Sequence, residues 1–221
     1  MTVDVVAAPF GAIMLDCLVP LTQPVLDALA PPYTLPKTNT GITLFGRYFE
    51  NLTSAEVALI LGHPARFGLI GIGESRANGY VPSASQGAQD GAREVAKRKA
   101  LGLPAGGAIV WDAEGMGGTA ADTTASGDAY AQQVQAAGDQ CIAYVGDSVP
   151  LTPGGLYALL ETLYWHSLSN VQQVATADYA MLQAYPTQLL DLGAAGVRAF
   201  DVSLIYRDKR SRAPMMYRAS A

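Results

Sequence analysis

Two carboxylic acids, Asp112 and Glu114, close the apolar run AIVWDAE at 108–114. Extended backbone puts positions i and i+2 on one face, about 6.5–7 Å apart by strand rise. Two acids so placed can divide their proton affinity, one staying ionised while the other holds a proton. Glycosidic bond cleavage uses that division: an acid for the leaving oxygen, and a base or nucleophile beside it. The same spacing equally suits an ordinary strand-end pair, one member capping the loop Gly115-Met116-Gly117-Gly118. Other chemistries are poorly provided for. His63 and His166 lack metal-ligand spacing, and an all-carboxylate Mg²⁺ or Ca²⁺ site is the one metal chemistry the acids would admit. No metal or cofactor is expected. Cys17 and Cys141 fall in apolar runs and read as buried, unpaired thiols. There is no G-x-S-x-G nucleophile turn and no phosphate-binding glycine loop.

The elements that must position these acids are legible as eight short apolar runs, at 12–18, 42–49, 67–74, 107–112, 141–146, 162–166, 179–185 and 197–204. They are continuous rather than alternating, as in parallel strands covered on both faces. Between them, 84–101 reads as a helix opened by Ser83 or Ser85, and 123–138 as one opened by Asp122 or Thr123. Thr53 and Glu56 form a capping box for a helix ending near Gly62, and 152–160 and 187–195 read as shorter helices. Eight strands with helices between them predict an α/β fold, a single compact (β/α)₈ barrel of the TIM type over residues 1–204. A doubly wound open sheet is the alternative. Barrel chemistry sits at the C-terminal ends of the strands. Those ends carry Asp16, Arg47, Glu74, Asp112 with Glu114, Tyr144, Trp165 with His166, Gln183 and Asp201, which describe a polar, mostly acidic pocket. Trp165 is placed to stack on a sugar or to fill the rim.

The chain has 221 residues, 50% hydrophobic and 15% charged, which excludes a disordered protein. A net charge of −5 argues against a nucleic-acid partner. No run approaches the roughly 18 apolar residues of a membrane span. No basic residue precedes the first apolar stretch, so a secretory signal is not expected. Residues 205–221 read as a basic C-terminal tail in which Arg207, Lys209, Arg210, Arg212 and Arg218 face only Asp208. Such a tail is either solvated or an arm that docks on an acidic neighbour, with Met215, Met216 and Tyr217 as its apolar anchor. The second reading predicts a protein assembly, either of copies of this chain or with other proteins.

The run GYVPSASQGAQDGAREVAKRKALGLPAGGAIVWDAEG, with GRYFENLTSAEVALILGHPARFGLIGIGE upstream, resembles a family pattern. The family is the glycoside hydrolase-like domain of uncertain function, a TIM barrel related to the family 25 lysozymes. The resemblance spans about 11–204 and is most specific over 46–114. It implies a peptidoglycan-directed glycoside hydrolase, with Glu114 as general acid and Asp112 and Asp16 assisting it. It further implies Asp201 on the last strand, and Arg47 and Glu74 as features of the glycoside hydrolase-like members. The first strand departs from the pattern, reading M-L-D-C where G-x-D is usual, and several expected loops are short. The competing expectation is therefore a glycan-binding or structural barrel without turnover, such as a phage tail component touching the cell wall. The resemblance and the missing signal favour a virion location, with a cytoplasmic or signal-less exported protein as the alternative.

Overall fold

The computed structural model describes residues 1–35, 40–74, 80–147, 149–161, 163–168 and 179–220, the side chains of 185 and 186 aside. Position 162, expected to open a strand, lies outside the described residues. In chain order the elements are β1 (Val3–Ala7), β2 (Ile13–Cys17), α1 (Gln23–Leu29), β3 (Ile42–Tyr48), α2 (Ser54–Leu61), β4 (Gly68–Ile72), α3 (Ala84–Ala100) and β5 (Ala108–Asp112). There follow α4 (Ala120–Ala136), β6 (Gln140–Val145), α5 (Pro153–Ala158), β7 (Leu163–His166), β8 (Met181–Asp191), β9 (Val197–Ile205) and β10 (Met215–Ala219). Strands β2 to β9 pair in succession, and β9 returns to β2, closing a barrel.

Strands β2 to β8 are parallel, but β9 runs antiparallel to both of its neighbours. The barrel is thus mixed, and the expectation of eight parallel βα units is corrected in its last unit. The physical reason is the connection. Only residues 192–196 separate β8 from β9, folded as a 3₁₀ turn at Gly193–Ala195 with Gly193 and Gly196 at positive φ. A parallel crossover needs a dozen residues or more, so these two strands can only form a hairpin. Segment 187–195, expected as a helix, is instead the outer half of β8 and this turn.

Helix starts follow the sequence signals closely. Ser83 accepts from Gln86 N–H and Thr53 from Glu56 N–H, each satisfying one orphan donor of the first turn. In α4 the cap is Thr119, with Asp122 as the reciprocal acid of its capping box rather than the cap itself. Helix α1 carries no such signal, and Val25, Leu26 and Leu29 bury it.

Alternate strand residues separate two cores. Met14, Leu44, Ile70, Val110, Ile142, Leu163, Met181 and Ile205 fill the barrel interior. Leu15, Phe45, Leu69, Ile109, Ala143 and Val202 face outward and pack in the core that includes the helices.

The basic tail is not a free arm. Residues 215–219 form β10, which pairs antiparallel with β1 from Val3↔Ala219 to Ala7↔Met215 and joins β4 at Tyr217↔Leu69. Met216 belongs to the inner core, and Tyr217 is fully buried with its ring where a Cβ on Gly107 would stand. Ahead of β10, Asp208 accepts from the backbone N–H of Arg210 and Arg212 and pairs with the Arg212 guanidinium. The terminal strands therefore line the floor of the barrel, at the N-terminal ends of its parallel strands.

Candidate functional site

Strand parity decides which side chains reach the open end. Met14 lies in the inner core, so Asp16, two residues on, points inward above it. The same step carries Leu44 through Gly46 to Tyr48, Val110 to Asp112, Ile142 to Tyr144, Leu163 to Trp165 and Met181 to Gln183. On β9, which runs the other way, Ile205 leads back through Ser203 to Asp201. Asp16, Tyr48, Ile72, Asp112, Glu114, Tyr144, Trp165, Gln183 and Asp201 line one cleft of about 60 Å³.

Asp16 is a strongly perturbed group. It is buried, stands opposite Asp201 in the β2–β9 register, and its Oδ2 has no protein hydrogen-bond partner. Burial first, then the carboxylates of Asp201 and Asp112, raise its pKa well above the usual range, and Arg47 only partly opposes them. The carboxyl therefore holds its proton more tightly than an ordinary aspartic acid does. Gly46 makes room for it, because a Cβ there would lie 2.9 Å from Asp16 Cβ.

Glu114 is placed by a turn rather than by a strand face. Strand β5 ends at Asp112, whose Oδ1 accepts from Glu114 N–H at 3.0 Å. The Glu114 side chain then lies across Gly146 and accepts from Asp147 N–H at 3.2 Å. The two acids thus meet at the mouth from different levels, Asp112 inside and Glu114 at the edge.

The remaining lining is a set of hydrogen-bonding groups. Tyr144 donates to Gln183 Oε1 at 2.9 Å and meets Trp165 edge-on, with ring centroids 4.7 Å apart. Trp165 Nε1 is buried and without a protein partner. Burial and the adjacent carboxylates hold the Tyr48 and Tyr144 phenols well above their ordinary pKa, so both remain protonated. Asp201 accepts from Thr187 Oγ1 at 2.6 Å. Among the described residues, no group of three or more His, Cys, Asp or Glu is arranged to hold a metal ion.

Three expected residues lie elsewhere, the first being His166, whose ring meets Tyr179 edge-on with centroids 4.6 Å apart. Arg47 is on the outer face of β3, where its Nε donates to Glu56 of α2 at 2.8 Å and its Nη1 to the Cys17 carbonyl. Glu74 pairs with Arg93 of α3 at 2.6 Å, in a side hollow that touches the cleft only through Asp112. Tyr48 was not anticipated, although the inward step from Leu44 through Gly46 marks it. Cys17 is part-exposed rather than buried, while Cys141 is buried, and both are free thiols.

No protein-family model matches the chain, and no curated protein matches it significantly. Solved structures do. An uncharacterised protein of B. stearothermophilus superposes with a TM-score of 0.63 at 15% identity, over 89% of this chain and 97% of its own. The modular autolysin LytC of Streptococcus pneumoniae superposes with a TM-score of 0.55 at 10% identity. Its complex with a synthetic peptidoglycan ligand gives 0.53 at 12%. Both cover 89% of this chain and 47% of the autolysin chain, so the present chain spans about half of that protein. At these identities the likeness is one of fold, a closed α/β barrel.

Proposed function

We propose that the chain is a glycan-directed hydrolase acting on cell-wall peptidoglycan. The observation that carries this reading is the mouth itself. The buried Asp16 carboxyl, its pKa raised by burial and by its acidic neighbours, stands beside Asp112 and Asp201, with Glu114 at the open edge. Unpartnered Asp16 Oδ2 and Trp165 Nε1, with the Tyr48 and Tyr144 hydroxyls, suit a neutral ligand rich in hydroxyl and amide groups. The shared barrel of the peptidoglycan-binding autolysin supports the same substrate class.

In this mechanism Glu114 delivers a proton to the glycosidic oxygen as the bond to the anomeric carbon breaks. Water adds to that carbon and gives up a proton to a mouth carboxylate. Asp112 positions Glu114 through its backbone N–H. The Asp16 carboxyl, whose Oδ2 is unpartnered in the cleft, hydrogen-bonds a sugar hydroxyl and so helps position the ring. Zymography on purified cell walls tests the proposal. Wild type clears the walls, while Glu114→Gln and Asp16→Asn do not.

A second reading, a glycan-binding barrel without turnover, is favoured by the small cleft, much of whose lining is already bonded to itself. Wall binding by wild type without clearing selects it.

A further inference from the structure

The cleft, at about 60 Å³, is far below the roughly 300–1,000 Å³ of sites that enclose a small-molecule ligand. A saccharide ring must rest across the mouth rather than inside it, and its binding energy must come from surface that continues the cleft. One such surface projects there. Strand β2 pairs with β9 only over residues 201–204, so residues 197–200 of β9 and their β8 partners rise beyond the barrel end.

This hairpin has two unlike faces. Leu190 and Phe200, with Leu192 of the turn, are buried in the outer core together with Val25, Leu26 and Leu29 of α1. The hairpin is thereby fixed against α1 rather than free to sway. On the other face Leu189 pairs with Ala199 and Asp191 with Val197, in the strand parity of Asp201. Leu189 is 73% exposed and Val197 60%, and Thr187, bonded to Asp201, continues the row into the mouth. The solvent side of an antiparallel pair is ordinarily polar, and an apolar one marks a contact surface. Leu18 and Val19, exposed where the chain leaves β2, lie at the adjacent strand end.

We infer that the face formed by Thr187, Leu189, Val197 and Ala199 is the wall of an open binding groove. Its occupant is the saccharides that flank the one over the carboxyls in the same glycan chain. This rests on the glycan reading above, though not on turnover. The aliphatic side chains of Leu189, Val197 and Ala199 suit the C–H faces and acyl methyl groups of such sugars, Asp191 at the outer end of the face accepts from Gly193 N–H, and the continuity with Asp201 aligns the row with the mouth.

The test is a binding isotherm on purified cell walls in the Glu114→Gln background, which prevents turnover. Adding Leu189→Asp with Val197→Asp weakens binding roughly tenfold or more through lost remote contacts. Leu160→Asp, an exposed apolar change away from the hairpin, leaves binding as it was. Circular dichroism confirms folding, and Leu189→Asn with Val197→Thr serves should the double aspartate misfold. Unchanged affinity in a folded hairpin variant overturns the groove alone. Failure of wild type either to bind or to clear walls overturns the glycan reading and the groove with it.

Discussion

Asp16 and Asp201 face each other as register partners across the antiparallel β2–β9 pair, both turned into the barrel mouth. Like charges directly opposite on neighbouring strands destabilise a sheet. Burial and the facing Asp201 both raise the pKa of Asp16, which favours the protonated form that removes one of those charges.

Asp16→Asn is expected to stabilise the protein and disable it together. The folded pKa of Asp16 lies above its unfolded one, so the folded state holds a proton that the unfolded state releases. Stability is then full below the ordinary carboxylate range and falls as pH rises toward the raised value. The amide escapes that fall. Thermal melts at pH 4 and pH 8 should show a Tm advantage for the variant of several degrees at the higher pH, shrinking at the lower. Equal pH slopes in the two proteins would refute the assignment of the proton.

Glu161 sets a second pH dependence, far from the mouth. Its carboxyl is buried near Gly127 with neither oxygen bonded, and burial raises its pKa to about 8. The sign is that of Asp16: stability declines between the ordinary glutamate value of 4.5 and about 8, then levels. Glu161→Gln should flatten this decline, worth several kcal/mol across the window. Urea titrations at pH 5 and pH 9 measure it, and an undiminished difference would mean that Glu161 is ionised in the fold.

Gly146 is where a methyl group reaches the chemistry. A Cβ there would stand 2.5–2.7 Å from Glu114 Cβ, Cγ and Cδ, so Gly146→Ala must push that side chain aside. A displacement near 1 Å in a catalytic group costs about 10²-fold in rate. The expected result is a fall of that order in kcat with little change in Tm.

Arg47→Met separates structure from substrate recognition. Arg47 and Glu56 form a buried ion pair, and Glu56 also accepts from Leu21 N–H at 2.9 Å. Removing the cation strands a buried carboxylate, at a cost of about 3–5 kcal/mol. Denaturant unfolding should register the loss, while the wall affinity of the remaining folded fraction stays at the wild-type value. A specific affinity loss in stable protein would return Arg47 to the ligand.

The boundary between what was legible and what was not runs along physical lines. Continuous apolar runs revealed the barrel strands, and polar strand ends revealed Asp16, Asp112, Tyr144, Trp165, Gln183 and Asp201 as neighbours in one cleft. Polarity alone points to Arg47 at the end of β3, whereas parity places Tyr48 in the cleft, since one residue of shift exchanges barrel interior for helix layer. Glu114 reached the mouth for a reason other than the expected one, an Asx-type turn at Asp112 instead of a shared strand face. The outer half of β8 resembled a helix because its leucines at 189, 190 and 192 do not alternate. Their division between α1 and solvent is a tertiary fact. The tail was hidden by its charge: Arg218 alternates with the buried Tyr217, and their partner strand lies at the far end of the chain.

That last pairing fixes an order of events. Val3 to Ala7 leave the ribosome some two hundred residues before their pairing partners, Met215 to Ala219. Until then the edge of β1 is unsatisfied, and the base of the barrel lacks both Met216 and the ring of Tyr217. A ring of strands can assemble during translation, but it can be sealed underneath only after residues 215–219 have emerged. A nascent chain arrested short of residue 215 therefore carries an open base and an unpaired strand edge, the kind of surface that chaperones hold.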